Sequence, residues 1–282
     1  MATVHTNGVE LRVNRYWVGP RDEDRPVVVF VHGLGIVDHS GLSFTLGMPL
    51  ANVADVVLYA LRGHGRSEVP PTGYRLDDHV ADLAGLLDAL AIDVPVHLIG
   101  CSYGGAIATR AAMLHADRVG SVFLLDPLFS SPDWTMMIRA PMEASAAILR
   151  RDHTTEEVMQ LLGLTSRRKA DAVEQRASRF LLGTSVLDDL QAEADLGADD
   201  YAAITCPVSA VFGTGSMMYP LKPVLEDYVP HAEIHEIEGI DHLGIFSLTR
   251  EVGQLIGDHV AQQATRASNG AAAAPAPVAP VR

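Results

Sequence analysis

The sequence of 282 residues is poor in cysteine. Its two cysteines, Cys101 and Cys206, form no CxxC pair and cannot build a framework of disulfide bonds. Cys101 ends an apolar run that is typical of a buried strand, which favours a small core residue over a reactive thiol. The fold must therefore be held together by a hydrophobic core. A chain of 282 residues of which 48% are hydrophobic is long enough and apolar enough to build one.

Long apolar runs and basic runs are also absent. No apolar stretch reaches the length of a membrane span, about 18 residues. The first residues, MATVHTNGVELRV, have neither the positive nor the apolar region of a secretory signal, so we expect a cytoplasmic location. The formal net charge of −14, with no run of five basic residues, argues against nucleic acids and anionic membranes as main partners.

Metal and cofactor motifs are missing as well. The sequence has no HExxH, no clustered Cys and His, no GxGxxG after the first predicted strand and no P-loop. We therefore expect neither a metal nor a cofactor.

The sequence does contain short β-rich runs that alternate with longer helical patterns. VVVFV at 27–31 is apolar throughout, like strands that are buried on both faces of a parallel sheet. Val80, Leu83 and Leu87 recur on one face of a helical pattern with acidic residues in its first turn. The alternation predicts an α/β fold with a mostly parallel sheet between helices. The predicted strands are residues 10–17, 27–31, 55–59, 95–99, 119–125, 207–212 and 232–237, and the predicted helices are 77–90, 103–116 and 243–260.

One interval interrupts this alternation. Residues 127–206 separate two predicted core strands and are mostly helical and amphipathic in pattern, which indicates a helical cap inserted into a single domain of residues 1–265. Residues 266–282, rich in Ala and Pro and without apolar periodicity, are predicted to be disordered.

The segment LIGCSYGG at 98–105 places a serine between glycines, after an apolar strand and before an Ala-rich helix. A G-x-S-x-G nucleophile elbow requires this context of strand, sharp turn and helix. Gly100 and Gly104 allow strand and helix to approach closely at the strained serine, and the free N–H groups of the helix start favour a developing anion. Ser102 is therefore predicted to be a nucleophile.

Two further segments accompany the serine. VFVHGLG at 29–35 places His32 and Gly33 directly after a buried strand, and LRGHGRSE at 61–68 follows the next one. The order of these segments, the serine elbow and a late histidine resembles the α/β-hydrolase superfamily over roughly residues 10–260. The resemblance implies an eight-stranded sheet flanked by helices, with an inserted cap and no cofactor.

The resemblance also implies an oxyanion hole formed by the backbone N–H groups of Leu34 and Tyr103. Acyl transfer builds negative charge on a carbonyl oxygen, and two preorganised N–H groups stabilise that charge. His32, Arg62 and Ser67 are expected to brace loops near the site rather than to react.

The base is predicted to be His242, which follows the last strand in EIEGIDHLGIF and resembles the late histidine of the family. The acid of the family usually follows the seventh strand in a G-x-x-D pattern, but here the loop reads FGTGSMMYP and Ser216 stands at that position. Asp126, after strand 119–125, lies at the same edge of the sheet and is the predicted acid. Two alternatives stay open: Asp126 only caps the turn into Pro127, or His242 acts in a dyad without an acid.

These residues predict a serine hydrolase in which Ser102 attacks a carbonyl group and water resolves the acyl-enzyme. Apolar residues of the cap predict a medium-sized apolar ester, lactone or thioester as substrate, although packing in the cap core explains them at least as well. Hydrolysis of a C–C bond in a diketone-type substrate, a cofactor-free lyase or cyclase, and a ligand-binding relative without turnover stay open. The predicted pocket residues are Phe129, Trp134, Met137 and Met217, with Met136, Ile138, Met218 and Tyr219 as further candidates.

Overall fold

A computed structural model describes residues 2–16, 25–34, 43–132, 134–151, 154–161 and 165–272. One sheet contains the strands β1 (Ala2–Thr6), β2 (Val9–Tyr16), β3 (Val27–Val31), β4 (Asp55–Tyr59), β5 (Val96–Cys101), β6 (Val119–Leu125), β7 (Val208–Gly213) and β8 (Glu233–Ile237). Their spatial order is β1-β2-β4-β3-β5-β6-β7-β8. The pairs that involve β2 are antiparallel and all others are parallel. The prediction of a mostly parallel, eight-stranded α/β sheet is confirmed.

Helices cover both faces of this sheet. One face packs on α2 (Leu76–Ala89) and α3 (Tyr103–Leu114), and the other on α1 (Met48–Leu50) and α10 (Thr249–Ala272). Because both faces are covered, every residue of β3 and β4 is buried, which explains their continuous apolar sequence. The remaining helices are α4 (Trp134–Leu149), α5 (Thr155–Leu161), α6 (Arg167–Leu181), α7 (Val186–Gln191), α8 (Ala198–Tyr201) and α9 (Lys222–Tyr228).

The first strand was not predicted from its sequence. β1 pairs with β2 through a two-residue turn in which Asn7 and Gly8 have φ values of 45° and 71°. An Asn-Gly pair is the preferred sequence for such a turn, because both central residues need positive φ. The dipeptide between two short alternating segments was the signal that could have revealed this hairpin.

The end of the chain differs from the prediction of disorder after residue 265. Helix α10 continues to Ala272, so residues 266–272 are helical. Three of these residues are alanines, but Ser268, Asn269 and Gly270 have low helix propensity, so this turn depends on propagation from the established helix more than on its own composition. Residues 273–282 lie outside the described part of the chain, as does Trp17 at the end of the predicted strand 10–17.

The chain between β6 and β7 contains α4 to α8, and we call it the cap segment. Phe180 of α6 packs against the turn that follows β4, with its ring centroid 4.7 Å from that of His64. The amide of Tyr74, which precedes α2, donates a hydrogen bond of 2.9 Å to Oδ2 of Asp189 in α7. The cap segment is thus anchored near the carboxyl ends of the parallel strands, where α/β sheets bind ligands.

Candidate active site

Ser102 lies on the sharp turn between β5 and α3. Its backbone has φ 52° and ψ −122°, a conformation that costs a non-glycine residue about 1–3 kcal/mol. The surroundings hold it there: its amide donates to the carbonyl of Leu125 at 3.1 Å, and its carbonyl accepts from the amides of Gly105 and Leu128 at 2.8 and 2.9 Å. Strain maintained by so many backbone bonds is typical of a nucleophile elbow.

Glycines make this turn possible. A Cβ atom on Gly104 would lie 2.0 Å from the carbonyl oxygen of Val31, and one on Gly100 would lie 2.6 Å from the carbonyl oxygen of Gly104. Both distances are far below van der Waals contact, so no side chain fits at either position without backbone movement. The close approach of β3, β5 and α3 therefore depends on glycine, as predicted.

The His-Gly segment after β3 lies directly beside the serine. A Cβ atom on Gly33 would be 3.1 Å from the Cβ and 3.5 Å from the Oγ of Ser102. His32 is buried, accepts the Leu61 amide at Nε2 (3.0 Å) and donates from Nδ1 to the Gly33 carbonyl (2.7 Å). These bonds join the loops after β3 and β4, which is a bracing role. Leu34 is half-buried, and Gly35 lies outside the described residues.

The RGHGRS segment also braces the site. The guanidinium of Arg62 forms two bonds to the buried carboxylate of Asp82, at 2.7 and 2.5 Å, and a third to the carbonyl of Gly73. Ser67 donates to the Ala60 carbonyl at 2.7 Å. These contacts fix the chain between β4 and α2.

Asp126 and His242 are brought together at the carboxyl ends of β6 and β8. Nδ1 of His242 lies 2.5 Å from Oδ2 of Asp126. The aspartate is completely buried, whereas the side chain of His242 is 21% exposed. Asp126 has φ 43°, a second strained residue at this edge of the sheet. A buried carboxylate on Nδ1 fixes the imidazole with Nε2 free to accept a proton.

Two more groups bind the carboxylate of Asp126. The amide of Gly213 donates to Oδ1 at 3.2 Å, and the hydroxyl of Ser216 donates to Oδ2 at 2.5 Å. Ser216 stands where the acid of the family is usual, and its role as a hydrogen-bond donor was not predicted from the sequence. Its position in the sequence could have indicated this role, because the loop after β7 lies at the same edge of the sheet as Asp126.

The apolar pocket candidates separate into buried and exposed residues. Phe129 and Trp134 have no exposed surface; their rings pack on those of Tyr201 and Tyr103, between the sheet and the cap segment. This burial places them in the core rather than on an open pocket wall. Ile138 and Met218 are also buried, Met137 is half-buried, Met217 is 55% exposed, and the hydroxyl of Tyr219 binds Glu236 at 3.0 Å. The side chain of Met136 lies outside the described residues.

A group of buried polar side chains lies behind the serine. His79 packs its ring 5.7 Å from that of Tyr103. Burial lowers the pKa of His79 well below its usual range, and Arg62, His64 and His32 lower it further. Burial likewise raises the pKa of Tyr103. Within the described chain, both ring nitrogens of His79, the Tyr103 hydroxyl and Nε1 of Trp134 have no hydrogen-bond partner.

The described residues contain neither a metal-ion site of the usual ligands nor a membrane-spanning helix. Among them, no group of three or more His, Cys, Asp or Glu side chains is arranged to hold a metal ion. No helix in that part of the chain is both long and apolar enough to cross a membrane.

Comparisons with known proteins agree with this geometry. Residues 26–155 match the family model described as the alpha/beta hydrolase fold. The chain is 30% identical over 257 residues to a pimeloyl-[acyl-carrier protein] methyl ester esterase of Chromobacterium violaceum, covering 85% of this chain and 96% of the relative. It is 26% identical over 273 residues to a 2-hydroxy-6-oxononadienedioate/2-hydroxy-6-oxononatrienedioate hydrolase of Paraburkholderia phymatum, covering 90% and 93%.

A solved structure shows the same fold at lower identity. The crystal structure of a putative lipase from Acinetobacter baumannii superposes with a TM-score of 0.75 at 15% identity, covering 94% of this chain and 92% of that one. With an elbow serine, a histidine bound to a buried carboxylate and relatives of matching length, the chain belongs to the α/β-hydrolase superfamily and is a hydrolase.

Proposed function

We propose that the protein hydrolyses apolar carboxylic esters, lactones or thioesters through a triad of Ser102, His242 and Asp126. The observation that carries the proposal is the 2.5 Å contact between Nδ1 of His242 and the buried carboxylate of Asp126, at the edge of the sheet where Ser102 occupies its strained turn. Asp126, at the end of β6, supplies the acid that the loop after β7 lacks, because Ser216 stands at the usual position of that acid. This geometry favours a complete triad over a dyad and over a purely structural Asp126.

The proposed reaction has two halves. In the first, Ser102 Oγ forms a bond to the substrate carbonyl carbon while its proton passes to Nε2 of His242, and that proton then leaves with the alcohol or thiol. In the second, His242 takes a proton from water, the oxygen of that water attacks the acyl carbon, and the acid departs as Ser102 recovers its proton. Asp126 stabilises the imidazolium that forms in both halves.

The proposed oxyanion hole uses the amides of Tyr103 and Leu34. Tyr103 is the first residue of α3, and amides in the first turn of a helix have no intrahelical acceptor. Leu34 follows Gly33, the residue whose Cβ position touches Ser102. Two such amides would stabilise the charge of the tetrahedral intermediate by several kcal/mol.

An apolar substrate is supported by the surface beside the triad. Met217 follows Ser216 and is 55% exposed, and Leu243 follows His242 and is 73% exposed. Large apolar side chains so exposed, each next in sequence to a residue that binds the Asp126 carboxylate, are suited to contact an apolar ligand. Compounds with an acyl or alkyl chain near the scissile bond are therefore the proposed substrates.

A second candidate function is hydrolysis of a C–C bond. It is supported by the likeness to the hydrolase of 2-hydroxy-6-oxononadienedioate over 90% of this chain. Such a compound contains no ester, so its hydrolysis must break a bond between carbon atoms beside the ketone. The same serine and histidine would serve, with a carbanion instead of an alcohol as leaving group.

The experiment compares two substrates and one covalent probe. We expect turnover of p-nitrophenyl butanoate, labelling of Ser102 by a fluorophosphonate, and loss of both in Ser102→Ala. Loss of the yellow colour of a 2-hydroxy-6-oxodienoate, at a kcat/KM above that for the ester, would favour the second candidate. Absence of turnover of either substrate, together with absence of labelling in the folded protein, would reject a serine hydrolase.

A further inference from the structure

The hydroxyl of Ser216 occupies a defined place in the hydrogen bonds around Asp126. It donates to Oδ2, the same carboxylate oxygen that faces Nδ1 of His242. Its own oxygen accepts the amide of Met218 at 3.0 Å. Since that amide supplies a donor to Oγ, the single hydroxyl proton of Ser216 is directed to the carboxylate.

The loop that carries Ser216 is attached to the loop that carries His242. The amide of Gly215 donates to the carbonyl of Ile240 at 3.0 Å, and a Cβ atom on Gly213 would lie 2.3 Å from that same carbonyl oxygen. The amide of Asp126 donates to Val211 at 2.8 Å, which fixes the end of β6 against β7. The ends of β6, β7 and β8 therefore meet at the Asp126 carboxylate.

We propose that Ser216 is a positioning residue of the triad: its hydroxyl holds Oδ2 of Asp126 where that oxygen receives the proton of His242 Nδ1. The inference rests on the proposed function, in which Asp126 acts on His242. A buried carboxylate can rotate about its Cβ–Cγ bond unless donors fix both oxygens. Here the Gly213 amide fixes Oδ1 and the Ser216 hydroxyl fixes Oδ2.

The same geometry makes position 216 a second place from which an acid can reach His242. The Ser216 Oγ and the His242 Nδ1 both lie 2.5 Å from one oxygen, so they are separated by at most twice that distance. An aspartate at 216 extends one bond further than the serine. This is the position at which the family usually carries its acid, so a carboxylate there is expected to be within reach of His242 while the histidine stays in place.

Four variants test the inference with p-nitrophenyl butanoate as substrate. Ser216→Ala is expected to lower kcat by a factor of about 10 or more, the effect of one hydrogen bond to a charged group, with KM within about twofold of its original value. Ser216→Thr keeps the hydroxyl and is expected to retain kcat within about threefold. Asp126→Asn is expected to lower kcat about 10⁴-fold, and Asp126→Asn combined with Ser216→Asp to recover at least about tenfold of that loss.

A matched control is Ser209→Ala, which removes a buried hydroxyl from β7 that binds a different histidine, His259 of α10, at 2.8 Å. Its kcat should be unchanged. The inference is overturned if folded Ser216→Ala has normal kcat while Asp126→Asn is inactive. A folded double variant that recovers nothing overturns only the placement of a second acid position at 216. Normal activity of Asp126→Asn would instead reject Asp126 as the acid, so the two failures are distinguishable. Thermal unfolding of each variant establishes that it is folded. If Ser216→Ala does not fold, Ser216→Cys, which keeps the shape of the side chain with a much weaker donor, decides the question by the same loss of kcat.

Discussion

At the scale of single residues, the site combines strained and unsatisfied groups. Ser102 and Asp126 have positive φ, and the Tyr103 hydroxyl is buried without a hydrogen-bond partner in the described chain. Each of these features lowers the free energy of unfolding, by about 1–3 kcal/mol for a strained backbone and by a similar amount for an orphaned polar atom. Features of this kind are concentrated at functional sites, where geometry outweighs stability.

Tyr103→Phe tests the orphaned hydroxyl. The variant removes only the polar atom that burial leaves unpaired, so the free energy of unfolding should rise by about 1 kcal/mol. Urea unfolding followed by circular dichroism measures the difference. Tyr74→Phe is the control, because the Tyr74 hydroxyl donates to the Pro70 carbonyl at 2.8 Å and its removal should destabilise. Destabilisation by Tyr103→Phe would show that its hydroxyl has a partner.

At the scale of elements, the approach of α3 to β3 depends on Gly104. Gly104→Ala should reduce the free energy of unfolding by about 2 kcal/mol or more and disturb Ser102, because the new methyl group meets the Val31 carbonyl oxygen at 2.0 Å. Gly253→Ala in α10 is the matched control. Its methyl group would meet only Leu46 at 3.7 Å, and an alanine inside a helix should stabilise by about 0.5–1 kcal/mol. Thermal unfolding and fluorophosphonate labelling of both variants provide the comparison; equal stability of the two would contradict the close contact.

The ion pair of Arg62 and Asp82 holds the chain between β4 and α2. Both side chains are buried, so Arg62→Met leaves an unpaired carboxylate and should cost about 3–5 kcal/mol of unfolding free energy. Replacing both residues, with Asp82→Leu added, should recover most of the loss. Denaturant unfolding of the single and double variants gives the coupling energy. If the double variant is as unstable as Arg62→Met, the loss of unfolding free energy comes from losing the ion pair itself and not from leaving the Asp82 carboxylate buried without its partner.

At the scale of the whole molecule, buried neutral histidines make the fold sensitive to acid. Burial lowers the pKa of His64 and of His97 to about 4, and that of His79 well below its usual range. Since these values are depressed in the folded protein, the unfolded chain binds protons that the folded protein does not bind as the pH falls below the ordinary value of about 6.5. Unfolding is therefore favoured progressively between about pH 6.5 and pH 4, by about 3 kcal/mol for each of His64 and His97.

Urea midpoints measured between pH 7.5 and pH 4.5 check this dependence. We expect a constant midpoint above about pH 7 and a steep fall below pH 6.5. His97→Gln should reduce the slope, whereas His5→Gln, at a side chain that is 78% exposed, should leave it unchanged. A midpoint independent of pH down to 4.5 would contradict the burial of these neutral rings.

Much of the fold could be predicted because its signals are local. Strands buried on both faces have apolar sequences, and amphipathic helices show their period within one window. β1 was not predicted because it is short and lies at the edge of the sheet. The helical residues 266–272 were not predicted because the amino-acid composition of a segment does not show that a preceding helix continues into it. The order of the strands and the pairing of β2 with β4 depend on contacts between distant segments, which periodicity does not encode.

The sequence by itself indicated the elbow, because glycines on both sides of a serine, between an apolar strand and an Ala-rich helix, permit the tight turn and the close approach that an elbow requires. It also marked His242 and Asp126 as candidates, each at the end of a strand. Only the tertiary structure decided that these two side chains meet, and that the Ser216 hydroxyl joins them at the same carboxylate oxygen. The physical reason is distance along the chain, since Asp126 and His242 are 116 residues apart in sequence. Their side chains meet only because β6, β7 and β8 pair side by side in one sheet, so that their carboxyl ends lie next to one another.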